Sequence, residues 1–236
     1  MAEVLSHVLS FLALATPLAQ SQCVQGEASP LGDRKTAYAA RAAGPTTAFA
    51  RPGGRVLQRF GPKNVNGVDT VFGVLAVVRD RSCRPAWYRV QLPIRPNGAT
   101  GYVRADDVAL RRVNTRIEAD LSERRVDFFR NGRLLLRATA GVGASGTPTP
   151  VGRYYVNQRL RAADPSGPFG PGAIGVSAFS PVLTGWTQGG PIAIHGTNDP
   201  SSVGRAASHG CIRIANPLLV RMFRAMPEGT PVRIRA

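Results

Sequence analysis

Ile192-Ala193-Ile194-His195-Gly196-Thr197 and, a short way on, Ser208-His209-Gly210-Cys211-Ile212-Arg213 are the stretches on which the reading of this chain turns. In each, an apolar run of buried-strand type adjoins a reactive side chain. Ile192-Ala193-Ile194 delivers His195 at a strand end, and Cys211-Ile212-Arg213-Ile214 opens a second alternation at a cysteine. Two rigid strand ends side by side are expected to bring imidazole and sulfur within hydrogen-bond reach. The chain has three histidines and three cysteines, and two of the former and one of the latter fall here. A free thiol, with a pKa of about 8.5, is only a few per cent ionised at neutral pH. Imidazole is the side chain best matched to take its proton. Gly210, just before the cysteine, lets the backbone flex and a substrate approach. Backbone N–H groups at Gly210 and Cys211 are candidates for an oxyanion site. His195 needs an acceptor for its other ring nitrogen. The Gly196 carbonyl is the candidate, since Asp199 is expected in a loop. The set points to a cysteine nucleophile and acyl transfer.

Outward from this pair, the second half of the chain reads as strands and turns. Arg116–Leu121 and Arg125–Phe129 alternate across a turn at Ser122-Glu123, and Asn131-Gly132 signals a hairpin into Leu134-Leu135-Leu136. Gly152–Val156 is a further strand. Residues 162–176 carry Pro165, Gly167, Pro168, Gly170, Pro171, Gly172 and Gly175, and are expected to form a loop that covers the substrate. Phe169 and Trp186 are expected to line the cleft, and Phe179 to pack in the core. One helix is predicted over 217–226, capped by Asn216 with Pro217 at its first position and a core stripe of Leu218, Leu219, Met222 and Phe223. Pro231–Arg235 closes the chain as a short strand. A catalytic domain is expected over 114–236.

The first half has another texture. Val71–Val78 and Trp87–Leu92 read as strands, Pro96-Asn97-Gly98 as a turn, and Thr100–Arg104 as the strand after it. Residues 38–112 are therefore expected to form a small β-barrel, after a polar linker over 22–37. In the first 21 residues, Val8–Ala15 is apolar but too short to span a bilayer, and Ala19-Gln20-Ser21 suits leader cleavage. An exported protein is expected, although the leader has Glu3 and no Lys or Arg at its start. Gln20 before Cys23 argues against lipidation. In an oxidising compartment Cys23 and Cys83 would pair, leaving Cys211 free. The net charge is +16, and all but two of the 30 Lys and Arg residues are arginine. No basic run with interleaved aromatics supports a nucleic-acid partner. Anionic cell-wall polymers fit the charge better.

His195-Gly196-Thr197 with Ser208-His209-Gly210-Cys211-Ile212-Arg213, and Pro148-Thr149-Pro150-Val151-Gly152 upstream, resemble the L,D-transpeptidases of the YkuD type over about 114–236. Trp87–Val108 resembles the bacterial SH3-like modules found ahead of cell-wall enzymes. The resemblance implies a mainly β fold: an SH3-like barrel, then a β-sandwich-like catalytic domain with one short helix. It implies a peptidoglycan L,D-transpeptidase that acylates its cysteine with a tetrapeptide stem, releases D-alanine and passes the acyl group to an amine on a second stem, giving a 3→3 cross-link. By position, Cys211 is the nucleophile, His195 the base, Gly196 the carbonyl that orients it, and Gly210 an oxyanion donor. Ser208 and His209 shape the loop, His209 either catalytically or structurally. Arg213 would hold a stem carboxylate, and Thr197, Phe169 and Trp186 would contact substrate. Water as acceptor would make the same site an L,D-carboxypeptidase. A non-catalytic wall-binding protein would not need the Cys/His pair. A zinc site of His195, His209 and Cys211 lacks a firm fourth ligand. A papain-like enzyme would place its cysteine before its histidine. No cofactor or metal is expected, and a monomer in the periplasm or cell wall is.

Overall fold

The alternations above become two eight-stranded sheets, successive in the chain, in a computed structural model that describes residues 24–236. The stretch expected to be a leader and Cys23 lie outside the described residues. Cys83 is disulfide-bonded and Cys211 is a free thiol.

The first sheet comprises β1 (Ala28–Pro30), β2 (Ala37–Ala42), β3 (Thr46–Phe49), β4 (Val56–Phe60), β5 (Val71–Arg79), β6 (Pro85–Gln91), β7 (Thr100–Arg104) and β8 (Val108–Val113). Its pairing order is β4-β3-β7-β6-β5-β2-β8, with β1 on β5. Part of the stretch read as a linker is thus a strand. The reason is backbone saturation: β6 occupies one side of β5, while β2 pairs only with Val71–Val74 on the other. β1 then takes Ala76–Val78, whose peptide groups would otherwise lack partners. Phe72, Val90, Leu92 and Val103 are fully buried in this sheet's core.

The second sheet comprises β9 (Thr115–Asp120), β10 (Arg125–Arg130), β11 (Arg133–Thr139), β13 (Gly152–Arg161), β14 (Gly172–Phe179), β15 (Pro191–His195), β17 (Ile212–Arg213) and β18 (Pro231–Arg235). β12 (Val142–Gly143) and β16 (Ala206–Ser208) form a separate parallel pair. The order is β11-β10-β9-β18-β13-β14-β15-β17. The Asn131-Gly132 hairpin forms as read, with φ of 50° and 78°, the left-handed pair that a two-residue β turn requires. β13 serves both ends of the sheet: Gly152–Tyr155 pair with β18, and Val156–Arg161 pair with β14. Ile117, Phe128, Ile174, Ile192, Ile194, Ile212 and Ile214 bury into one core. The helix α1 (Asn216–Ala225) covers it with Leu219 and Met222.

Three readings are corrected. The loop expected over 162–176 ends at Pro171, because Ile174, Val176 and Ala178 alternate into the core and carry β14. Its glycines do not break that strand: a Cβ on Gly175 would lie 2.5 Å from Gln158 Cγ, so the absence of a side chain is a packing demand. Second, Asn216 does not cap α1. Ala215 occupies that position, and no side chain caps the helix. Third, His195 and Cys211, expected within hydrogen-bond reach, bond to the Gly196 and Pro191 carbonyls and not to each other.

The two sheets pack together through Tyr155. Its ring lies where a Cβ on Gly73 would be 2.9 Å away, and its hydroxyl donates to the Val71 carbonyl at 3.0 Å.

Candidate active site

The site follows from the register of two short parallel strands. Ile194 pairs with Ile212, and His195 with Arg213. Successive side chains of a strand point to opposite faces. Ile192, Ile194, Ile212 and Ile214 therefore enter the core, while Ala193, His195, Cys211 and Arg213 share the other face. All four line one cavity of about 850 Å³. Cys211 sits two residues before Arg213, diagonal to His195. With strands about 4.8 Å apart and a rise of about 3.3 Å per residue, their Cα atoms lie about 8 Å apart, a span that two side chains leaning together can bridge.

His195 Nδ1 donates to the Gly196 carbonyl at 2.5 Å, which leaves Nε2 as the basic nitrogen. A Cβ on Gly196 would fall 2.2 Å from Asn216 Oδ1, so only glycine fits there. That Asn216 oxygen accepts the Thr197 N–H at 2.8 Å and pins the segment carrying the histidine. The thiol's partner is the Pro191 carbonyl, 3.9 Å from Sγ. Imidazole and sulfur thus face one cavity without being hydrogen-bonded to each other.

Burial dominates the electrostatics. His195 is only 4% exposed. Its desolvation lowers the imidazole pKa from 6.5 to about 4, against the opposing Gly196 hydrogen bond and with a smaller push from Arg213. Burial also raises the Cys211 thiol, more than the Ala193 backbone hydrogen bond and Arg213 lower it. Both groups are therefore neutral at pH 7, a thiol beside an imidazole rather than an ion pair.

Two aromatics flank the pair. Phe169 packs edge-on to His195 at 5.0 Å, and Trp186 lies 5.1 Å from the His209 ring. Ser208 is buried. Its hydroxyl donates to the Cys211 carbonyl at 2.5 Å and accepts the Gly210 N–H at 3.2 Å, with Gly210 at φ 111°. The Gly210 amide, read as an oxyanion donor, is therefore already engaged. Thr197 is buried outside the cavity lining, its hydroxyl bonded to Asp199 backbone atoms. Arg213 is the one permanently charged side chain among the described residues lining the cavity, and its buried Nε has no partner. The described residues contain no cluster of metal-ligating side chains.

Sequence reasoning missed Asn216 as a clamp, because Asn before Pro at a helix start reads first as a cap. It missed Asn66 and Gln158, which line the cavity from distant parts of the chain without a local motif. Trp186 lines the cavity as expected, carried there by a second loop, residues 180–190.

A family model described as the L,D-transpeptidase catalytic domain, YkuD, matches residues 114–234. The YkuD protein of Bacillus subtilis is 38% identical over 104 residues, 44% of this chain and 56% of its own length. That of Bacillus licheniformis is 35% identical over 119 residues, 50% of this chain and 64% of its own length. Both are named as candidate L,D-transpeptidases. The chain thus spans less than two thirds of these relatives. Among solved structures, an L,D-transpeptidase from Mycobacterium smegmatis is similar at a TM-score of 0.43 and 19% identity, covering 70% of this chain and 90% of that one. L,D-transpeptidase 3 from Mycobacterium tuberculosis, in complex with a faropenem-derived adduct, is similar at a TM-score of 0.43 and 15% identity, covering 71% and 91%.

Proposed function

The chain belongs to the YkuD family of L,D-transpeptidase catalytic domains, and from that premise we propose that it joins peptidoglycan stems through a thioester on Cys211. The observation that carries the reading is the shared cavity face of His195, Cys211 and Arg213. An otherwise uncharged lining with one guanidinium, its buried Nε unpartnered, suits a peptide bearing a carboxylate.

Catalysis then runs as follows. The thiol turns from the Pro191 carbonyl and gives its proton to His195 Nε2 while sulfur attacks the carbonyl carbon of the third residue of a tetrapeptide stem. The neutral resting pair makes this a proton transfer during attack. Because Ser208 holds the Gly210 amide, we assign the oxyanion donor to the Cys211 N–H. The tetrahedral adduct collapses, and the D-alanine amine leaves with the proton returned by His195. An amine of a second stem, deprotonated by His195, then attacks the thioester and frees the thiol, forming a 3→3 link. Phe169 and Trp186 would hold the stems. His209 would support Trp186, and Thr197 would act only by holding the His195 segment.

The same proposal takes the N-terminal unit as SH3-like and the protein as an exported monomer. The bonded state of Cys83 suits an oxidising compartment, and the +16 charge suits anionic wall polymers.

Mass spectrometry after incubation with disaccharide tetrapeptides tests the reading. Expected are an adduct on Cys211, free D-alanine and a cross-linked dimer, all absent in Cys211→Ala. Tripeptide without dimer would assign the carboxypeptidase reaction, with water as acceptor. Product formed by Cys211→Ala would end the proposal.

A further inference from the structure

The loop between β14 and β15, residues 180–190, is held from outside its own sheet. The Asn97 carboxamide donates from Nδ2 to the Phe179 carbonyl and accepts the Phe179 N–H at Oδ1, both at 2.8 Å. This pair of bonds supplies what a partner strand would, at the point where the β14–β15 register shifts between Val176 and Phe179. Arg95 Nη2 donates to the Ser180 carbonyl at 2.8 Å and to the Gly189 carbonyl at 2.7 Å, clasping both stems of the loop. Its guanidinium also lies 5.3 Å from the Phe179 ring centre. At the crest, Asn66 and Gln188 exchange carboxamide hydrogen bonds at 3.0 and 3.4 Å. Gln188 has φ of 57°, a left-handed backbone that a non-glycine residue keeps only when its surroundings impose it.

What this loop presents to the cleft is Trp186, half-exposed, beside His209 and on the same cavity as Cys211. The reacting pair itself rides on β15 and β17, which none of the three clamps touches. The loop is thus gripped by the N-terminal unit and the nucleophile carried by the catalytic sheet, and the two meet at Pro191, which follows the loop, pairs with Phe179 and offers its carbonyl to the thiol.

We propose that Arg95 and Asn97 are positioning residues through which the N-terminal unit sets the affinity of the cleft, by fixing the loop that carries Trp186. Module and catalytic domain are then one functional site, and the module is more than a spacer or a wall anchor. Occupancy of the cleft depends on the clamp, and the chemical step does not. The second of these statements rests on the function proposed above; the placement of Trp186 does not.

The test uses the full chain with Trp87→Phe, which leaves Trp186 as the sole indole because the chain has two tryptophans. Asn97→Ala and Arg95→Ala are compared with this parent by acrylamide quenching of Trp186 fluorescence and by acylation with imipenem over a range of concentrations. Thermal melting checks that each variant is folded. Expected are a clear rise in the quenching constant and a half-saturating imipenem concentration raised about tenfold, with the limiting acylation rate unchanged. A merely structural role would leave quenching unmoved or lower the limiting rate in step with the folded fraction. If Asn97→Ala does not fold, Arg95→Ala decides alone. Quenching and half-saturation unchanged in the folded variants would overturn the proposal, as would a change confined to the limiting rate. If the parent is not acylated, the proposed function has failed, while the quenching of Trp186 still decides whether the clamp places the loop.

Discussion

Acidification should weaken this fold through one histidine. His195 is buried, and its imidazole is lowered from 6.5 to about 4. In the unfolded chain it regains its ordinary value near 6.5. Between those two values the unfolded chain binds a proton that the folded chain refuses. The contribution of neutral His195 is therefore fully present above about pH 6.5 and is lost as pH falls through that window toward 4. At about 1.4 kcal/mol per tenfold change in proton affinity, the loss is about 3 kcal/mol. That is a large part of the stability of an ordinary domain. Urea unfolding from pH 7 to pH 4, for the parent and for His195→Gln, isolates the effect, because carboxylates that titrate in the same range are common to both. The stability of the parent relative to the variant should drop by about 3 kcal/mol across this range. A difference that stays flat would mean that the buried imidazole is not held neutral. The same depression predicts that imipenem acylation keeps its rate on acidification until near pH 4, rather than losing it near pH 6.5.

Asn216→Ala should leave the buried Thr197 N–H without an acceptor, costing about 1–3 kcal/mol in thermal or urea unfolding. It should also slow acylation of Cys211, because the Gly196 carbonyl that aims His195 loses its support. Tyr155→Phe removes the hydroxyl that donates to Val71 between the two sheets. It should cost about 1 kcal/mol, seen in calorimetry as a fall in Tm of about 2–4 °C, with acylation intact.

Much of the secondary structure was readable locally. The Asn131-Gly132 hairpin, the β7 strand after Pro96-Asn97-Gly98 and the apolar stripe of α1 each follow from a period or a turn within a few residues. The failures have a common origin. Gly172 and Gly175 suggested a loop where they make room for the Leu160 backbone carbonyl and the Gln158 side chain. Asn216 suggested a cap where it clamps a segment nineteen positions earlier in the chain. Gly210 suggested an oxyanion donor where Ser208 already accepts its N–H. In each case the residue type fits two local roles, and a partner from elsewhere selects one.

The chemistry on offer is legible in the chain alone: a thiol, an imidazole with a carbonyl next to it, and an arginine, each set in an alternating apolar run. Those are properties of residue type and short spacing, which a linear reading carries in full. Packing across the fold is what lays β15 and β17 parallel with His195 opposite Arg213, which puts Cys211 on the diagonal. It alone decided that the His195 imidazole and the Cys211 thiol rest neutral, because desolvation depends on everything packed around a group. It also decided that Arg95 and Asn97 of the first sheet hold the loop carrying Trp186. Contacts between residues more than eighty positions apart leave no periodic trace in either segment, so no local pattern announces them.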